Sequence, residues 1–393
     1  MNCDNIGIKC KVKNLILEPL YEFRKNNPGK LGKIGDISFM EVSNFFDQVQ
    51  DGKVKYSYTN KRCISFGDIH GDFLVLLSLL KLAHLIDDRG TWMGSDTIVV
   101  FTGDLLDRAG RMNPSSGYNT SHNNREEVDI VQYLYFLNLQ AKQKSGAVLS
   151  TVGNHEIARV FWKSMPQFQR FIGDQKDGWG ENMNLMFSTG GKMAKFMARN
   201  YPFIVKVNNY VFMHGGPTPN IINKLSKHTG SPQKVIPWLN QKLFDMFDKP
   251  NKKLSKSIMK LSEEREFSKP SKNSIIEKDC VKKIKSLLQN IGVEDAEKGA
   301  FVIGHSIQSK IETYCNKFVW RIDLAMSEAF GRKVQGLHPL GGILIDFQQQ
   351  VPIVTGFQTY AGSDEIIVTI YDKKEKSYSV QSNSPNIFFA STS

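Results

Sequence analysis

The stretch that decides the fold class is Phe66-Gly67-Asp68-Ile69-His70-Gly71-Asp72, which joins two apolar runs at residues 63–66 and 73–77. A short apolar run that stops at a Gly-Asp pair and then resumes predicts a buried strand, a tight turn and a helix. The side chains of Asp68 and His70 then lie at the carboxyl end of a strand, where open α/β sheets bind ligands. A carboxylate and an imidazole two residues apart can both reach one divalent cation, although both residues are also common turn formers.

The same arrangement recurs four more times along the chain. In each case an apolar run that predicts a strand ends in a glycine-containing turn with an acidic, amide or imidazole side chain. One such turn carries little information, but five in series predict a site. Strands and helices alternate between residues 62 and 152, which indicates βαβ units and a largely parallel sheet. The four later turns contribute Asp104, Asp107 and Arg108, then Asn154, His155 and Glu156, then His214, and finally His305.

Taken in order, the motifs GDIHGD, GDLLDR, GNHE, HGG and GHS resemble those of the calcineurin-like metallophosphoesterases. They are most similar to the phosphoprotein phosphatase branch and its Shewanella-like, bacterial-type members. That branch lacks the second histidine of the GHxH motif, and this chain has Ile307 at the corresponding place. The resemblance covers residues 62–347. It implies an α/β sandwich of two mixed β-sheets flanked by helices, and hydrolysis of phosphorylated Ser, Thr or Tyr side chains by a metal-bound hydroxide.

The resemblance also implies a set of metal ligands and catalytic residues. Asp104 bridges two metal ions, and the mixed oxygen and nitrogen ligands suit Mn, Fe or Zn. His155 serves as the general acid, and Asp107 orients its ring. Arg108 and Asn154 bind the substrate phosphate. Asp68 and His70 complete the first metal site, and Asn154, His214 and His305 complete the second.

Two further residues have open assignments. The resemblance implies a second phosphate-binding arginine between the HGG and GHS motifs. Arg265 is a candidate because no other arginine occurs in residues 241–290, and its alternative is a solvated surface role. Glu156 either orients the loop behind Asn154 or is a surface side chain at the start of a helix.

Charge is unevenly distributed over the 393 residues. The formal net charge is +12, and residues 241–290 contain thirteen Lys or Arg against seven Asp or Glu. We expect this lysine-rich insertion to be an exposed, mobile cap or rim that attracts acidic phosphosubstrates. The basic charge is also compatible with a dinucleoside polyphosphate or nucleic-acid phosphoesterase. A degenerate phosphate-binding scaffold is the non-enzymatic alternative, which the complete set of motif residues disfavours.

The remaining features bound the domain organisation. With 40% apolar residues the chain can form a large core, and we predict a main domain at residues 62–385. We expect residues 1–61 to form an extension that packs on that domain, with helices at 14–23 and 39–49. We expect residues 386–393 to form a flexible tail. The five scattered cysteines predict neither a metal site nor a disulfide framework. No signal peptide or long apolar run is evident, so we expect a soluble, cytoplasmic protein without membrane association.

Overall fold

The structure is a computed structural model, and it describes residues 46, 55–107, 124–162, 185–249, 255–268, 277–327, 330, 339–360, 366–371 and 378–382. The strands are β1 (Ser57–Tyr58), β2 (Arg62–Phe66), β3 (Ile98–Phe101), β4 (Ala147–Ser150), β5 (Val205–Val207), β6 (Tyr210–Met213), β7 (Ala300–Ile303), β8 (Glu312–Tyr314), β9 (Val319–Arg321), β10 (Pro339–Asp346), β11 (Ile353–Tyr360), β12 (Ile366–Tyr371) and β13 (Tyr378–Ser382). The helices are α1 (Phe73–Leu82), α2 (Asn124–Gln143), α3 (Asn154–Phe161), α4 (Lys192–Asn200), α5 (Pro219–Thr229), α6 (Val235–Asp248), α7 (Lys256–Glu263) and α8 (Glu277–Asn290).

The strands form two mixed sheets. One has the order β13-β12-β11-β10-β2-β3-β4, and the other has the order β1-β5-β6-β7-β9-β8. Helices flank the sheets, and one continuous cluster of buried apolar side chains spans both. The predicted α/β sandwich of two mixed sheets is therefore confirmed.

In the first sheet, β2, β3 and β4 are parallel, and their apolar side chains are almost completely buried. Crossover helices α1 and α2 connect them, which is why neighbouring strands run in the same direction. The register places Phe66 opposite Phe101, and Phe101 opposite Ser150. All three strands thus end at the same level, and the turns that follow them lie side by side.

The second sheet brings two more motif turns to a common level. Strands β6 and β7 are parallel, with Met213 opposite Ile303. His214 directly follows β6, and His305 follows β7 after one glycine. The Gly304 amide donates a hydrogen bond to the His214 carbonyl at 2.9 Å, which joins the two turns.

The first sheet contains both parallel and antiparallel strand pairs. The largely parallel sheet is confirmed for β2, β3 and β4, but β10 to β13 add an antiparallel meander. Of residues 321–327, only Arg321 belongs to a strand. Ala325 has a φ of 51°, which no strand residue adopts, and its amide donates to the Asp323 carboxylate at 3.0 Å. The chain therefore turns immediately after β9.

The lysine-rich insertion is not simply an exposed segment. Its described residues form the end of α6, the whole of α7 and α8, and a short turn after α7. Ile258 and Leu261 of α7 and Ile284 of α8 are completely buried. The expectation of a fully exposed insertion is wrong for these helices. Apolar residues three and four positions apart give each helix a buried side, which a count of charges does not reveal.

The cysteine prediction is also wrong in one respect. Cys280 of α8 and Cys315, in the turn between β8 and β9, form a disulfide. Their Cα atoms are 5.4 Å apart, and both side chains are buried. The two residues are 35 positions apart in the chain, so their spacing alone gave no sign that α8 packs against the β8–β9 turn. Cys63 is a free, buried thiol.

Other expectations fall partly or wholly outside the described residues. Of the predicted helices at 14–23 and 39–49, only Phe46 is described; it is helical, and its ring lies 5.1 Å from that of Phe196. Strands β12 and β13 pair antiparallel, and the turn between them is not described. The tail at 386–393 is also not described. Among the helices that are described, none has the length and apolar character needed to span a membrane.

Candidate active site

The turns after β2 and β3 are joined through their backbones. The amides of Ile69 and His70 donate to the Asp104 carbonyl at 3.2 and 3.0 Å, and the Gly71 amide donates to the Leu105 carbonyl at 2.7 Å. Asp72 then caps α1 by accepting a hydrogen bond from the Val75 amide. These bonds place Asp68 and His70 beside Asp104, and all three side chains are at least 99% buried.

Four residues of the motif turns have left-handed backbone conformations. The φ angles are 40° for His70, 49° for Asp104, 69° for Asp107 and 65° for His305. Non-glycine residues adopt this region at an energetic cost, and such residues cluster at functional sites. The local strain is held in place by the hydrogen bonds between the turns.

Helix α3 starts in direct contact with Asp104. The His155 amide donates to Asp104 Oδ1 at 2.9 Å. A Cβ atom on Gly153 would lie 2.2 Å from the same oxygen, so only glycine permits this approach. The first turn of α3 therefore positions both Asn154 and His155 over the Asp104 carboxylate.

Glu156 holds the backbone of the motif turns after β3 and β4 in place. Its Oε2 atom accepts hydrogen bonds from the amides of Gly153 at 2.8 Å and Asp104 at 3.0 Å, and its Oε1 atom accepts one from the Leu106 amide at 3.0 Å. Its side chain is completely buried. The structure thus places Glu156 behind the loop, and the surface alternative is wrong.

The second sheet contributes His214 and His305 to the same centre. His214 Nε2 lies 3.2 Å from Asp104 Oδ2, 2.9 Å from Asn154 Oδ1 and 3.1 Å from His305 Nδ1. The His305 amide donates to Asp68 Oδ2 at 3.0 Å. A Cβ atom on Gly304 would meet Asp68 Oδ1 at 2.2 Å, so this glycine allows the two turns to approach.

These side chains form two donor clusters that share Asp104. One contains His70, Asp104 and His155, and the other contains Asp104, His214 and His305. Asp68 Oδ2 is 3.9 Å from His70 Nε2. Carboxylate oxygens with imidazole nitrogens and one amide oxygen are a donor set that Mn, Fe and Zn accept.

The tautomers of the histidines also fit a metal centre. Nδ1 of His70 lies 3.3 Å from the Leu106 carbonyl, and Nδ1 of His214 lies 2.9 Å from the Thr102 carbonyl. A carbonyl only accepts, so each Nδ1 carries the proton and each Nε2 presents a lone pair toward the cluster. His305 Nε2 is buried and has no hydrogen-bond partner among the described residues. The side chains present thus fit two metal ions.

The titratable groups of the cluster shift one another's pKa values. Burial alone would raise the pKa of Asp104, but His214, His155 and His70 together hold that pKa well below its usual range. The same contact with Asp104 raises the pKa of His214 against the effect of burial. Burial and the neighbouring His214 lower the pKa of His305 to about 2, so its imidazole is neutral. Burial and the nearby Asp104 raise the pKa of Glu156 to about 7.

A short hydrogen bond joins His155 to Asp107. His155 Nδ1 lies 2.6 Å from Asp107 Oδ2, and both side chains are buried. The carboxylate holds the proton on Nδ1, so the opposite nitrogen, Nε2, faces the cluster at 3.7 Å from Asp104 Oδ2. In this geometry Nε2 of His155 points toward the donor cluster, and an imidazole nitrogen in that position can hold or release a proton.

The two arginines of the sequence prediction have different outcomes. Arg265 lies beyond the end of α7, and its Nη1 atom donates to the His305 carbonyl at 3.2 Å and to Ser306 Oγ at 2.9 Å. Its guanidinium is therefore at the edge of the candidate site. Arg108 lies outside the described residues.

Sequence reasoning missed several residues that support the site. Glu127 of α2 and Arg159 of α3 form a buried ion pair behind Asp107, and the ring of Phe330 lies 5.1 Å from that of His70. The sequence does contain a signal for Arg159, because this residue lies four positions after His155 on a short helix. Glu127 and Phe330 belong to no recognisable motif, and only the fold brings them close.

Comparisons with known proteins agree with this geometry. The calcineurin-like phosphoesterase family profile matches residues 62–275, which is more than half of the chain. Shewanella-like protein phosphatase 2 of Arabidopsis thaliana is 25% identical over 310 residues, covering 68% of this chain and 72% of the relative. Shewanella-like protein phosphatase 1 of Plasmodium berghei (strain Anka) is 27% identical over 289 residues, covering 70% of this chain and 72% of the relative.

A solved structure supports the fold. The structure of a cold-active protein tyrosine phosphatase superposes with a TM-score of 0.56 at 18% identity, covering 86% of this chain and 83% of that one. The five motif turns, the shared Asp104 and the match over residues 62–275 lead to one conclusion. The chain belongs to the calcineurin-like phosphoesterase family, whose members are metal-dependent hydrolases of phosphate esters.

Proposed function

We propose that this protein is a metal-dependent protein phosphatase that removes phosphate from Ser, Thr or Tyr side chains of phosphoproteins. The observation that carries the proposal is the 2.6 Å hydrogen bond between His155 and Asp107, at the two donor clusters that share Asp104. The two curated relatives reported above are named protein phosphatases, which supports a phosphoprotein substrate.

The positions of the donor atoms support an assignment of the metal ligands. Asp68, His70 and Asp104 would hold the first ion, and Asp104, Asn154, His214 and His305 would hold the second. Mn, Fe or Zn suit these ligands better than Ca or Mg, because half of the ligand residues are histidines, which bind a metal through an imidazole nitrogen. Two such ions, when bound, activate a water for attack on phosphorus and neutralise charge on the phosphate oxygens.

His155 would supply the proton for the leaving group. Asp107 holds Nδ1–H of the ring, and Nε2 faces the cluster. When the phosphorus–oxygen bond to the substrate breaks, the departing serine or threonine oxygen needs a proton, and protonated Nε2 can donate it. A positioned acid of this kind accelerates the step by about 10² to 10⁴.

Arg265 is the described arginine best placed to bind the phosphate. Its Nη1 atom is fixed by His305 O and Ser306 Oγ, which keeps the guanidinium at the edge of the second donor cluster. A guanidinium matches two phosphate oxygens at once. Arg108, next to Asp107 in the chain, would provide the opposite clamp, and Asn154 would contact the phosphate as well as the second ion.

A substrate panel tests the proposal. Purified protein supplied with Mn²⁺ is assayed on peptides with phosphoserine, phosphothreonine or phosphotyrosine, on p-nitrophenyl phosphate, and on dinucleoside polyphosphates, with Asp104→Asn as the matched control. We expect turnover of phosphopeptides that the control lacks. Preference for a dinucleoside polyphosphate would replace the protein substrate with a nucleotide. Absence of bound metal and of all turnover would indicate a scaffold.

A further inference from the structure

Behind the His155–Asp107 pair lies a second, buried pair of charged residues. Arg159 Nη2 donates to Glu127 Oε2 at 3.0 Å, and the other oxygen of the same carboxylate, Oε1, accepts a hydrogen bond from the Asp107 amide at 2.9 Å. Arg159 is 2% exposed and Glu127 is 0% exposed. One carboxylate thus connects α3 to the backbone of the residue that orients His155.

These contacts close a ring. His155 and Arg159 are four positions apart on α3, so they lie on the same side of that helix. His155 bonds the Asp107 side chain, the Asp107 amide bonds Glu127, and Glu127 bonds Arg159, which leads back through one helical turn to His155. The guanidinium of Arg159 also lies over the ring of Phe187, 4.8 Å from its centroid.

A structural role alone does not explain a charged pair in this position. Buried ion pairs are often no better for stability than apolar residues of similar volume, since both charges lose their hydration. An apolar pair, however, would leave the Asp107 amide without its acceptor at a residue whose φ of 69° needs support. A carboxylate with two oxygens is required to hold the amide and the guanidinium together.

We propose that Glu127 and Arg159 are positioning residues for the general acid: they fix the backbone of Asp107, and through Asp107 the direction of His155 Nε2. This inference rests on the proposed function, because it requires His155 to protonate the leaving group. Both side chains are buried, and neither belongs to the two donor clusters. Their loss should therefore impair proton donation without removing the metal ions.

The test compares leaving groups. The double variant Glu127→Leu/Arg159→Met removes both charges of the pair together, and it also removes the acceptor for the Asp107 amide. We expect kcat on a phosphoserine peptide to fall by about 10- to 100-fold, which is the loss that a misplaced catalytic group causes. The value of kcat on p-nitrophenyl phosphate should fall much less. Metal content and KM should stay near those of the unmodified protein.

Glu127→Gln provides the graded control. Its side chain keeps one oxygen and has an NH2 donor in place of the other, which cannot accept a hydrogen bond from the donor that faces it, so the same substrate bias should appear with a smaller loss. If the double variant does not fold, the Glu127→Gln variant tests the positioning role by itself. Equal losses on both substrates, or a lowered melting temperature with no substrate bias, would mean that the pair is only structural.

His155→Ala separates the inference from the proposed function. If this variant shows the leaving-group bias and the Glu127 variants do not, the positioning role is wrong and the acid role stands. If His155→Ala itself affects both substrates equally, then the acid role is wrong, and the positioning inference fails with it.

Discussion

Asp104 is the residue on which the site converges. Its carbonyl accepts two amides of the first motif turn, its Oδ1 atom accepts the His155 amide, and its Oδ2 atom lies 3.2 Å from His214 Nε2. Three histidines surround its carboxylate and favour the ionised form. One buried side chain thus links both sheets at the level where their strands end.

Removing the charge of Asp104 should therefore affect both donor clusters. We expect Asp104→Asn to lose nearly all turnover and to bind less metal at both positions, because a neutral amide cannot bridge two cations. Elemental analysis of the purified variant, together with phosphopeptide hydrolysis, measures both effects. Two retained metal ions and near-normal activity would show that Asp104 is not the bridge.

The proton donor can be tested by the same comparison of substrates. His155→Ala should leave metal content intact and lower turnover of a phosphoserine peptide by about 10² to 10⁴. The loss should be smaller on p-nitrophenyl phosphate, whose leaving group needs little protonation. Kinetics on both substrates at one pH provide the measurement, and equal losses would contradict the acid role.

Gly153 offers a steric test of the site. A methyl group in Gly153→Ala would lie 2.2 Å from Asp104 Oδ1 and 2.6 Å from its amide nitrogen, so α3 must move away from the centre. We expect turnover to fall by about 10²-fold or more, because displaced catalytic groups cause losses of that size. Gly216→Ala is the matched control, because its new methyl group meets Glu264 atoms only at 3.6 and 3.7 Å. Similar activity in both variants would contradict the close approach.

At the scale of elements, the turn after α7 is held from three sides. Gly216 of the HGG motif donates to the Glu264 carbonyl, Ser268 Oγ lies 2.6 Å from Ser306 Oγ, and an ion pair joins Lys283 of α8 to Glu266. Arg265 lies between these contacts. The position of its guanidinium thus depends on how α7 and α8 pack against the second sheet.

The Cys280–Cys315 disulfide links α8 to the β8–β9 turn, and it should stabilise this arrangement. Cross-links of this kind contribute about 2 to 4 kcal/mol to the free energy of unfolding. We expect dithiothreitol to lower the unfolding midpoint in guanidinium chloride. The variant Cys280→Ala/Cys315→Ala should unfold at a lower midpoint and should not respond to the reductant. An unchanged midpoint on reduction of the unmodified protein would mean that the bond is absent in solution.

At the scale of the whole molecule, basic charge is concentrated in the lysine-rich insertion. The lysine-rich insertion lies between two motif histidines, His214 and His305, and α7 ends at the turn that carries Arg265. Charge of this kind can raise the rate of encounter with an acidic substrate, and salt screens it over about 8 Å at physiological ionic strength.

Neutralising this charge should lower catalytic efficiency without changing the chemistry. Replacement by Gln of Lys249, Lys252, Lys253 and Lys256 should lower kcat/KM on an acidic phosphopeptide and flatten its salt dependence, and should leave turnover of p-nitrophenyl phosphate unchanged. A control variant replaces Lys61, Lys142, Lys144 and Lys298, which precede strands and so lie at the opposite edge of the sheets. Identical salt dependence in the two variants would mean that the insertion does not steer substrates.

Much of the site could be predicted because its residues lie in local patterns. Asp68, Asp104 and Asn154 each follow a buried strand, and parallel strands must end at a common edge. The sequence pattern of strand, turn and helix therefore predicts the edge of the sheet at which these residues meet. The Glu127–Arg159 pair could not be predicted in this way, because no period relates the two positions.

By itself, the sequence determined the motif turns, the parallel order of β2, β3 and β4, and the chemical types of the donors, since each depends on residues close together in the chain. Only the tertiary structure decided the partner of Cys280, the direction of Arg265 and the support behind Asp107. These contacts join residues 20 to 41 positions apart. Their formation depends on how helices pack on the sheets, and packing is a property of the whole core.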